Sequence, residues 1–169
     1  ANCGEAKHAQ ISRFKHYLTG AIGLVFITML SGAFVAGLKA GLIFNTFPLM
    51  DGQWVPEGIY ALQPIWLNFF ENMITVQFNH RMLAMLVAVL VVTIWFYAGK
   101  LSLGSRGRLA RHFLLAVVGL QISLGISTLV LHVPIALAAC HQAGALLLLT
   151  AGLFFRHALN DDIGASVPS

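Results

Sequence analysis

Two histidines stand inside long apolar stretches, His80 in the run from Thr75 to Tyr97 and His141 in the run from Ile135 to Phe155. An ionisable group within an apolar span is costly unless it is paired or ligating, and a neutral imidazole is a good axial ligand for haem iron. His80 lies five residues beyond Thr75 and His141 six beyond Ile135. If both runs are helices entered from the same side, the two rings fall within about one turn of the same depth. Matched depth suits bis-histidine coordination, with His80 and His141 as the iron ligands. Ala84, Gly144 and Ala145 keep the adjoining surface small enough for a flat ligand. Two membrane histidines hydrogen-bonded to backbone or to Ser and Thr would also account for the pair, so both readings stand at this point.

Other residues rank lower. Arg81 follows His80 directly and can either pair with carboxylates such as haem propionates or snorkel to water. His132, at the outer end of the third apolar run, can touch propionates or serve at the interface. His8, His16, His112 and His157 fall at the ends of the apolar runs and are expected to meet water or lipid headgroups. No carboxylate lies within a span, which argues against a proton relay or ion-coupled transport. A nucleophile elbow, a phosphate-binding glycine loop and zinc-type cysteine spacing are all missing, and the two cysteines, Cys3 and Cys140, lie at depths too different to pair easily.

The elements that must position the histidines follow from composition. Of 169 residues, 58% are hydrophobic and 9% charged, far from the quarter charged of a soluble domain. A bilayer core needs roughly 20 apolar residues per helix, and four such stretches cover most of the chain, at about 14–38, 75–97, 112–131 and 135–155. The expected fold is an all-α integral membrane bundle of four transmembrane helices, with a long outer loop over 41–72 between helices 1 and 2. Polar tails occupy 1–13 and 160–169. The start at Ala1, with no signal-peptide pattern, suggests a processed or excised chain. Ala33, Gly37 and Gly41 give a small-residue spacing suited to helix packing. Pro48, Pro56 and Pro64 break the outer loop, Trp54, Tyr60 and Trp66 suit an interface, and 65–71 suits a short interfacial helix. Lys7, Arg13, Lys15, Lys100, Arg106, Arg108, Arg111 and Arg156 share one side, against Lys39 and Arg81 on the other. This bias places both termini on the cytoplasmic or matrix side, and it reads the net charge of +4 as topology, with no nucleic acid partner.

The runs Ser31–Gly41, Asn45–Gly52, Val76–Arg81 and His141–Gly144 resemble haem A synthase of the proteobacterial and mitochondrial branch. The resemblance covers nearly the whole chain and corresponds to the C-terminal four-helix half of an eight-helix protein built from two similar halves. It implies haem b as cofactor, held by His80 and His141. It also implies oxidation of a methyl group of haem O to the formyl group of haem A, for cytochrome oxidase assembly. The implied partners are the N-terminal half or a second copy, haem O, the lipid bilayer, and haem O synthase or oxidase assembly factors. The implied location is a bacterial plasma membrane or the mitochondrial inner membrane. In the family's N-terminal half a glutamate after the first helix is implicated in the chemistry; Lys39 stands at that position here, and the outer loop lacks the cysteine pair of some members. This half is therefore expected to be the electron-accepting module, with no catalytic residue of its own. A b-type electron-transfer cytochrome and a structural membrane subunit are the alternatives.

The expected topology makes a direct prediction. In a background with Cys3 and Cys140 replaced by alanine, a cysteine at Gln53 should react with an impermeant thiol reagent from outside, and one at Ser105 only after permeabilisation. The opposite pattern would reverse the orientation.

Overall fold

The computed structural model describes residues 3–164. It contains four long α-helices: α1 Cys3–Gly37, α2 Met73–Ala98, α3 Ser105–Val130 and α4 Ile135–Gly164. All four are long and apolar enough to cross a membrane, and no named strand occurs among the described residues. The chain is thus an all-helical membrane-type bundle. α1 starts at Cys3, so its first turns take in nearly all of the polar stretch 1–13, although the Cys3 and Lys7 side chains lie outside the described residues. α3 starts seven residues before His112, and α4 runs on to Gly164; residues 165–169 of the polar C-terminal stretch also lie outside the described residues.

Local chemistry sets the helix ends. Asn72 caps α2 by accepting from the N–H groups of Ile74 and Thr75, satisfying donors that the first turn leaves open. Gly104, in extended backbone, opens α3 after the glycine-bearing turn. Lys39 closes α1 in the left-handed region at φ 54, and His132 and Val133 do the same after α3 at φ 60 and 57. Pro134 then starts α4, its carbonyl accepting from Ala138 N–H.

The long connection carries two 3-10 turns, Ala40–Leu42 and Ile65–Phe69, the second within the segment expected to be an interfacial helix. Asn68, fully buried, organises it: its side-chain oxygen accepts from Leu62 N–H and from Asn72, and its amide donates to the carbonyls of Leu62 and Ile65. Asn72 also donates to the Gly58 carbonyl, so the loop is fastened to the start of α2. Trp54 and Trp66 stay exposed.

Around the bundle, α1 packs on α2, α2 on α3, α3 on α4 and α4 on α1, leaving α1–α3 and α2–α4 as the diagonals. The buried core occupies one half of the length. It runs from Ile11, Phe14 and Leu18 to Val25 on α1, from Val87 to Ala98 on α2, from Ala110 to Val118 on α3 and from Leu148 to Leu159 on α4. Phe14 stacks on Tyr97 and meets Phe155 edge-on at the centre of this half. The end is further tied by Lys15 to Asn160, Arg156 to Thr19 and Arg106 to Asp161. Ala33 and Gly37 are exposed, so the small-residue stripe does not pack within this bundle; Gly41 alone meets a neighbour, Val133.

Because lipid is as apolar as leucine, interior side chains hold membrane helices together by close packing and not by escape from water. Phe155→Ala, at a fully buried site, should cost about 3 kcal/mol and lower the unfolding temperature in detergent, while Leu153→Ala, on the exposed face, should leave it nearly unchanged.

Candidate functional site

The core ends on one level, at Val25, Val87, Val118 and Leu148, and the site begins one heptad beyond it. Seven residues from these four positions stand Gly32, His80, Gly125 and His141 in turn. Seven residues make about two helical turns and return the side chain to nearly the same face, about 10 Å along the axis. All four therefore look into the bundle at one height, the histidines on the α2–α4 diagonal and the glycines on the α1–α3 diagonal.

Each histidine ring rests on one of these glycines. A Cβ added to Gly32 would come 3.1 Å from His80 Cε1, and one added to Gly125 would come 2.9 Å from His141 Cε1. The two seats repeat each other. The backbone of Thr28, four residues before Gly32, lies beside the His80 ring, and that of Gln121, four before Gly125, lies beside His141. Gln121 also donates its amide to the His141 carbonyl at 2.9 Å, and Gly144 makes room for the Gln121 side chain. The small surface at Gly144 thus serves packing against α3. Nδ1 of each imidazole is buried with no hydrogen-bond partner among the described residues.

Burying a polar nitrogen without a partner is unfavourable, so two such rings at one height suit a ligand that both can bind. Their donor set limits what that ligand is. No group of three or more His, Cys, Asp or Glu side chains able to hold a metal ion gathers among the described residues. Two imidazoles leave a bare ion short of ligands, whereas a porphyrin brings four nitrogens of its own and needs only axial donors. The residues present therefore fit a haem.

Arg81, read from the sequence as either a propionate contact or a snorkelling arginine, binds loop carbonyls. It is 9% exposed, donating from Nη1 to the carbonyls of Thr46 and Leu49 at 2.9 and 3.4 Å and from Nη2 to Phe44 at 2.7 Å. Gln77 donates to the same Phe44 carbonyl, and the Asn45 amide bridges to the Leu129 carbonyl of α3. The segment 44–49 is thereby laid over the outer end of the bundle, with Arg81 as its main anchor from below. Arg81 Nε is buried and unpartnered. His132 is exposed at the end of α3.

The remaining histidines are all exposed. His16 bonds to the Ser12 carbonyl and His112 accepts from Trp95 Nε1. Sequence reasoning did not assign Gly32, Gly125, Gln121 or Gln77 to the site. The detectable signal was the seven-residue step from each core position, which becomes meaningful once the core's upper edge is known.

The COX15-CtaA family, described as cytochrome oxidase assembly protein, matches residues 2–153. This chain belongs to that family. It is 52% identical over 144 residues to the haem A synthase of Nitrosospira multiformis, covering 85% of this chain and 40% of the relative. Identity is 46% over 150 residues to the human haem A synthase COX15, covering 89% and 36%, and 43% over 136 residues to that of Arabidopsis thaliana, covering 80% and 30%. The chain thus spans two fifths or less of the length of these haem A synthases. No solved structure matches it.

The glycine seats give this haem A synthase-type bundle a specific test. Gly125→Ala must displace the His141 ring, and should lower haem content or alter the low-spin electron paramagnetic resonance signal. Gly119→Ala, with nothing within 4 Å, should change neither.

Proposed function

We propose that this chain is the cofactor half of a haem A synthase, with haem b held between His80 and His141, and that it receives electrons released as haem O is oxidised elsewhere in the complex. The observation that carries this reading is the pair of imidazoles facing across the α2–α4 diagonal at one height, each seated on a glycine one heptad beyond the core. His80 and His141 would hold the haem, which would supply reversible one-electron transfer.

The chain's own residues divide the work. Gly32 and Gly125 admit the rings to the bundle interior, and Gln121 ties the backbone of His141 to α3. Arg81, Gln77 and Asn45 hold the loop over the outer end and keep water from the rings. The apolar layer of Val25, Val87, Val118 and Leu148 closes the other end. A ring-bound pair with no vacant position suits electron acceptance and not oxygen activation. Lys39 stands where the resemblance puts, in the family's N-terminal half, a glutamate implicated in the chemistry, and a lysine cannot act as that carboxylate. Oxidation of the haem O methyl group therefore belongs to a partner half.

In this reading the termini face the cytoplasm or matrix, the loop faces outward, and haem O synthase or oxidase assembly factors are neighbours. Retention of haem b together with loss of methyl oxidation by a partner half would favour a simple b-type cytochrome instead.

The test is a reduced-minus-oxidised visible spectrum with pyridine haemochrome typing. A low-spin b-type signal should be present in the detergent-purified chain and lost in both His80→Ala and His141→Ala. A chain that stays colourless after haem is supplied would leave a structural membrane subunit as the better description.

A further inference from the structure

Lys39 and His132 occupy equivalent places in the two halves of the bundle. Lys39 stands seven residues beyond Gly32 and two beyond the end of α1; His132 stands seven beyond Gly125 and two beyond the end of α3. Both take left-handed backbone, at φ 54 and φ 60. Each is thus about 10 Å outward of its glycine, at the outer end of the α1–α3 diagonal. Both are exposed, and neither side chain has a hydrogen bond or ion pair among the described residues.

The shape of the site gives this symmetry a use. A haem held by His80 and His141 along the α2–α4 diagonal would have its ring edges toward α1 and α3. Its inner edge would face the apolar layer of Val25, Val87, Val118 and Leu148 and the neutral side chains of Thr28 and Gln121, none of which offers a cation to a carboxylate. Its acidic edge must turn to the outer end, where Lys39, His132 and Arg81 are the basic side chains of the helix ends. Arg81 already holds three loop carbonyls with its Nη atoms.

We propose that Lys39 and His132 bind the two propionate carboxylates of the haem, Lys39 from the end of α1 and His132 from the end of α3. This rests on the reading of His80 and His141 as the iron ligands. The ammonium of Lys39 makes a charge-assisted hydrogen bond to one carboxylate, and the imidazole of His132 donates to the other.

The experiment measures haem transfer from the purified full chain to excess apomyoglobin, and the haem midpoint potential, following the signal that His80→Ala and His141→Ala remove. Lys39→Met should release haem about tenfold faster, the loss expected for one charge-assisted bond, and should lower the potential because a nearby cation disfavours the ferric form. Lys39→Arg should restore both values. His132→Gln should move both in the same direction by less. Reconstitution with the dimethyl ester of haem b should abolish the difference between wild type and Lys39→Met, which a purely structural lysine would not do.

A Lys39→Met protein that matches wild type, or a difference that persists with the ester, overturns the proposal. An effect confined to Arg81→Met overturns it too, and assigns the carboxylates to Arg81. A wild-type chain without the histidine-dependent signal fails earlier, at the haem site itself, and the proposal falls with it.

Discussion

In a bilayer, a polar side chain turned inward has to find its partner inside the protein, and the outer half of this bundle is organised around that requirement. His80, Arg81, Gln77, Gln121 and His141 all lie within membrane-spanning helices. Arg81 and Gln77 find their partners in loop carbonyls, and Gln121 finds one in the backbone of α4. Five buried side-chain atoms stay without a hydrogen-bond partner among the described residues: Nδ1 of His80 and of His141, Nε of Arg81, and Oε1 of Gln77 and of Gln121.

The other half of the bundle makes this arrangement affordable. Phe14, Tyr97 and Phe155, with layers of valine, leucine and alanine, fix the four helices where no polar group interrupts them. Past Val25, Val87, Val118 and Leu148 the same helices carry Gly32, His80, Gly125 and His141 one heptad farther on. Glycine at 32 and 125 then matters for a specific reason: each stands where a methyl group would contact the imidazole edge within 3.1 Å.

The bundle also repeats itself. α1 with α2 and α3 with α4 each supply a glycine, a histidine packed against it and a left-handed residue seven positions beyond the glycine. The halves differ in their connections: thirty or more residues join α1 to α2, and four join α3 to α4. The long connection carries the carbonyls that Arg81 grips. At the position matching Arg81, α4 has Gln142, which is exposed and has no side-chain hydrogen bond among the described residues. The haem A synthases this chain is similar to are more than twice as long.

By itself, the sequence determined that this is a membrane bundle of four helices, because apolar length and charge segregation act locally and additively along the chain. It also singled out His80 and His141, since an ionisable residue in an apolar run is conspicuous without any coordinates. Their common depth followed from helical rise alone. Tertiary structure decided the rest. That Gly32 and Gly125, among sixteen glycines, form the seats depends on which faces of α1 and α3 turn inward, and helices apolar nearly all round do not declare a face. Arg81's capture by carbonyls more than thirty residues away depends on the path of the loop, which no local propensity specifies. The chain could announce a costly side chain; only the fold could supply its partner.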